Sequence, residues 1–103
     1  MKDIIVLRKL EQPVHSGETE YGLLLKREGS GYWLVKQSAY ARPGGTTETS
    51  ELSFHIEKSF LNRATLETLT KRIKRLTGVI WRYSDCRDKA ALIDLIGNNR
   101  TYY

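Results

Sequence analysis

The stretch from Phe60 to Gly78, FLNRATLETLTKRIKRLTG, constrains this chain more than any other. Leu66, Leu69, Ile73 and Leu76 recur at spacings of three, four and three, which places them on one face of a helix. Asn62 or Thr65 offers a side-chain oxygen to backbone N–H groups that would otherwise lack a partner at the helix start. Gly78 can close the helix in the left-handed conformation that a Cβ resists. The pattern predicts a helix over 62–78. With Leu66 at zero, the apolar stripe covers roughly 280° to 0°, while Arg63, Lys71, Arg72, Lys74 and Arg75 spread over roughly 60° to 240°. Such a helix needs a covering partner on one side and projects a positive field from the other.

The segments around it read as strands. Ile4–Leu10 is β-branched and continuous, the pattern of a strand buried on both faces. Gln12–Gly17 reads as a loop. Tyr21–Arg27 and Tyr32–Ser38 read as a hairpin, with Glu28-Gly29-Ser30-Gly31 as the turn. On one face Tyr21, Leu23 and Leu25 are expected to meet Trp33 and Val35. The other face would carry Leu24, Lys26, Leu34 and Lys36, half of them apolar. Ala39–Ser50 reads as a long mobile loop around Pro43-Gly44-Gly45. In Glu51–Glu57, Leu52, Phe54 and Ile56 alternate inward with Ser53, His55 and Glu57 outward. Val79–Ser84 reads as a further strand, parallel or antiparallel to its neighbours. A last helix, capped by Ser84 or Asp85, runs through Ile96 to a stop at Gly97, and 98–103 forms a short tail. The expectation is a single α+β domain over 1–103. Its order is β-β-β-β-α-β-α, with two helices on one face of a largely antiparallel sheet of about five strands.

Charge is distributed unevenly. Residues 1–58 hold eight basic and eight acidic side chains, whereas 59–103 hold nine basic and four acidic, so the whole excess of +5 lies in the second part. Between 63 and 82 there are six basic residues and one acidic. That asymmetry suits an anionic partner. It also suits a plain solvated helix whose cations favour the C-terminal end of the helix dipole.

Few chemistries find support. His15, His55 and Cys86 lack metal-ligand spacing, so no metal or cofactor is expected. Cys86 is the single cysteine, which excludes an intrachain disulfide and fits a reducing, cytoplasmic setting. A helix N-terminus and Arg87 would favour its thiolate, but Asp85 and Asp88 oppose it, and an inert, buried cysteine is the simpler reading. The glycines join strands instead of leading into a helix, which a phosphate loop requires. The N-terminal apolar run is too short and too charged for a signal peptide, and no stretch approaches a membrane span.

Basic residues with aromatics among them remain. Tyr21, Tyr32, Trp33, Tyr40, Trp81, Tyr83, Tyr102 and Tyr103 supply stacking faces, and Arg82 sits between two of them. The sequence reading is a non-enzymatic binding domain. It would contact nucleic-acid phosphates through Arg63, Lys71, Arg72, Lys74 and Arg75, with Arg82 and the loop residue Arg42 extending the patch. The alternative is a regulator, adaptor or inhibitor that docks on an acidic protein or forms a homodimer through its sheet. An enzyme built around Cys86 is the third reading.

Overall fold

A computed structural model describes residues 3–96. Four antiparallel strands form one meander in sequence order: β1 (Ile4–Arg8), β2 (Thr19–Glu28), β3 (Gly31–Ala41) and β4 (Thr47–Ile56). Among the described residues three helices follow, α1 (Lys58–Arg63), α2 (Leu66–Thr77) and α3 (Lys89–Leu95), with a short 3-10 turn at Tyr83–Asp85 before the last. The architecture is α+β.

The strand register explains which side is covered. Ile5, Leu25, Leu34 and Phe54 stand in one row across the sheet, and Tyr32 pairs with Ile56 in the next. These side chains form one core with Leu61 and Ala64 beside α1, Leu69 and Ile73 of α2, and Leu92 and Ile96 around α3. The hairpin register differs from the sequence expectation. Leu25 faces Leu34, whereas Trp33 stands beside Lys26 and Val35 beside Leu24 on the opposite side. The two-residue turn at Gly29–Ser30 sets this parity, because a shift of one residue moves every side chain to the other face. On that opposite side the chain after β1 crosses β2 so closely that a Cβ at Gly22 would lie 2.8 Å from Leu10 Cβ.

β1 alternates instead of being buried on both faces: Ile5 and Leu7 are buried, while Ile4 is exposed. A bulge between Val6 and Arg8 leaves Leu7 without a partner in β2. The Trp81 indole Nε1 donates to the Leu7 carbonyl at 2.8 Å, so the bulge's oxygen is bonded from the helix layer. The outer edge of β1 is also closed. Arg87 N donates to Val6 O at 2.9 Å, and Val6 N donates to Asp88 Oδ2 at 2.7 Å.

Further expectations are corrected. Val79–Ser84 is not a fifth strand: Val79 and Trp81 point into the core, and the segment turns at Tyr83–Asp85 without joining the sheet. The 39–50 loop shrinks to a turn over 42–46, because residues 39–41 and 47–50 pair as strand. Leu52 lies on the helix side of the sheet yet is 60% exposed, since the strands outrun the helices there. The final helix starts later, at Lys89, with Asp88 in the N-cap position. Gly97 and the 98–103 tail lie outside the described residues.

The helix expected over 62–78 is two helices. Ala64 and Thr65 adopt extended backbone between them. Thr65 Oγ1 accepts from the Thr68 amide at 3.1 Å and Thr68 Oγ1 accepts from the Thr65 amide at 2.9 Å, a reciprocal cap on α2. Gly78 closes α2 at φ +76°. Thr65→Ala is expected to cost about 1 kcal/mol and Thr65→Ser much less, read as the shift in urea midpoint.

Candidate nucleic-acid interface

α2 buries Leu69, Ile73 and Thr77 against the sheet and turns its charged positions outward. The single acid of α2, Glu67, lies 3.2 Å from Lys71 one turn on. Among the described residues, no carboxylate pairs with Arg72, Lys74 or Arg75. Lys71, Lys74 and Arg75 are exposed, and Arg72 is half-buried.

The break at Ala64–Thr65 gives this face a shape that a continuous helix would lack. It folds α1 back so that the Arg72 guanidinium carbon sits 3.9 Å from the Phe60 ring centroid. Phe60, Thr68, Lys71, Arg72 and Arg75 line an open pocket of about 270 Å³. Three cations thus converge on one concavity with an aromatic floor and a hydroxyl. Guanidinium groups present a planar fork that matches phosphate oxygens, and the ring contact holds one such fork in place. Phe60 was not among the sequence candidates. It is outside the 3.6-residue pattern of α2, and its role depends on a helix break that the apolar spacing does not signal.

The remaining candidates are dispersed. Arg63 belongs to α1, where its Nε donates to the Ser59 carbonyl at 3.2 Å. Arg82 is exposed on the segment after α2, but the aromatics beside it are committed elsewhere. Trp81 is fully buried, and Tyr83 packs against the core with the Lys89 ammonium 5.6 Å from its ring centroid. Arg42 is held by Glu48 at 2.7 Å in the β3–β4 turn. It stands one residue past β3, six residues or about 20 Å of extended chain from Lys36, whose Nζ bonds the Thr77 carbonyl at the end of α2.

Cys86 is buried, and its Sγ donates to the Val6 carbonyl at 3.6 Å. Burial pushes its thiol pKa up, opposed in smaller part by a backbone hydrogen bond at Asp88 and by Lys89. His55 lies on β4 at the far edge of the sheet, about three strand spacings or 14 Å from β1, beside which Cys86 sits. His55 instead meets the Trp33 ring edge-on at 5.2 Å. Among the described residues, no group of three His, Cys, Asp or Glu side chains could hold a metal ion, and no helix is long and apolar enough to cross a membrane.

Comparison with protein-family models, curated proteins and solved structures finds no match to this chain.

Proposed function

We propose that this chain is a non-enzymatic binding domain that contacts nucleic-acid phosphates through the outward face of α2. The observation that carries the reading is the convergence of Lys71, Arg72 and Arg75 around one open pocket lined by Phe60, on a helix whose single acid, Glu67, offsets one of these three cations, Lys71. Phosphates take both the charge and the planar donors. A neutral ligand could use the donors but not the charge, and a cationic ligand is repelled. Contacts of this kind give affinity and orientation without reading sequence. Lys74 widens the positive strip along the helix. A reducing, cytoplasmic setting suits a domain whose single cysteine is buried.

The test is anisotropy of labelled oligonucleotides at two salt concentrations. A phosphate-contacting helix predicts binding at low salt that weakens steeply as salt rises, because each neutralised phosphate releases counterions. Absence of binding at low salt would overturn the proposal and leave an acidic protein surface as the ligand of this patch.

A further inference from the structure

We infer that the sheet surface beyond the C-terminal end of α2 is a stacking platform for unpaired bases, which makes the ligand a single-stranded nucleic acid. The inference rests on the phosphate-binding reading of α2 and adds to it the class of strand.

The sheet is longer than the helix layer that covers it. α2 ends where Lys36 Nζ bonds the Thr77 carbonyl at 3.0 Å, yet β3 continues to Ala41 and its neighbours run on with it. The rows on the helix side there are Leu23–Lys36–Leu52, then Tyr21–Ser38–Ser50, then Thr19–Tyr40–Glu48. Among the described residues, the last two rows lie outside the core cluster that the helices cover. Tyr21 and Tyr40 are diagonal neighbours on adjoining strands, about 7–8 Å apart. Both are 37% exposed. Among the described residues, four of the six exposed large hydrophobic side chains, Tyr21, Tyr40, Leu52 and Ile80, fall on this side.

The chemistry of the surface matches a nucleic-acid strand. Arg8, Tyr21, Lys36, Gly78 and Ile80 line an open concavity of about 410 Å³, and among the described residues none of its lining is acidic. The Lys36 ammonium is fixed by the Thr77 carbonyl and sits 4.7 Å from the Tyr21 ring centroid. Glu48, the acid in the Tyr40 row, is neutralised by Arg42 at 2.7 Å. A strand whose phosphates lie along α2 would therefore pass cations at Lys36 and Arg8 and the exposed rings of Tyr21 and Tyr40, with Lys36 already over one face of Tyr21. Stacking on tyrosine needs bases that are not already stacked in a duplex, so a single strand gains from this surface and a duplex does not.

The experiment compares a labelled oligothymidine with a duplex of equal length, using wild type, Tyr21→Ala/Tyr40→Ala and Tyr21→Phe/Tyr40→Phe. Loss of two stacked bases predicts about tenfold or greater weakening for oligothymidine in the alanine variant, with duplex affinity changed less than about twofold. The phenylalanine variant keeps the ring faces and is expected to bind like wild type. Circular dichroism and urea midpoints establish that both variants fold. If wild type binds both ligands and the alanine variant binds oligothymidine as tightly, the stacking platform is overturned while the helix reading stands. If wild type binds neither, both readings fall.

Discussion

Replacing Trp81 with alanine is expected to destabilise the fold by about 3–5 kcal/mol, the cost of emptying a large aromatic site in a core. Trp81 is 1% exposed and heads the largest fully buried side chains. Its position does more than fill volume. The bulge in β1 leaves Leu7 outside the ladder, and Nε1 of Trp81 bonds the Leu7 carbonyl across 74 residues of chain. Trp81→Phe separates the two contributions. It keeps most of the apolar volume but removes the donor, at about 1–3 kcal/mol for a buried carbonyl left unpaired. Because β1 is a five-residue edge strand bracketed by the 81–88 segment, its amides should lose hydrogen-exchange protection first. Urea unfolding reads the stability changes, and an unchanged midpoint in the alanine variant would contradict this role for Trp81.

The double reversal Lys71→Glu/Arg75→Glu is expected to weaken oligonucleotide binding about tenfold or more and to lower the salt slope by about 1.4 to 1.8, the value for two lost phosphate contacts. The two reversals lower the formal net charge by four units, from +5 to +1. These two positions are chosen because both are exposed. Stability should fall by about 1 kcal/mol, from loss of the Glu67–Lys71 pair, the new like-charge repulsions one turn apart and an acid in the last turn of α2, so the urea midpoint is read beside the binding. Arg72 is the wrong residue to reverse, since its guanidinium rests on Phe60 and a glutamate there would alter the junction of α1 and α2. Weakening with an unchanged salt slope would mean that the variant acts by some route other than phosphate contact.

Much of the fold is legible in the sequence because apolar spacing reports one-sided burial. The stripe of Leu66, Leu69, Ile73 and Leu76, the Gly78 stop and the Glu28–Gly31 turn all carry through to the structure. The failures have physical causes. Residues 47–50 face solvent on an edge strand, so they show no alternation and look like loop. Val79–Ser84 has strand-forming residues, but the demand of the Leu7 carbonyl for a donor is a tertiary fact that no local pattern contains. Thr65 was legible as a cap, yet not as the start of a second helix, because Phe60–Arg63 also suits helix and only the extended Ala64 and Thr65 separate the two. The basic patch was legible as charge. Its pocket was not, since Phe60 and Arg72 meet through the α1–α2 turn. The Tyr21–Lys36–Tyr40 surface depends on strand register and on where α2 ends, and neither is visible in composition.

The most direct test of where the ligand binds is an amide chemical-shift map of the isotopically labelled protein titrated with an oligonucleotide at low salt. The account predicts the largest changes at Phe60, Thr68 and Lys71–Arg75, with smaller changes at Tyr21, Lys36 and Tyr40. Changes confined to β4 and the Trp33–His55 side of the sheet, with α2 unmoved, would contradict it.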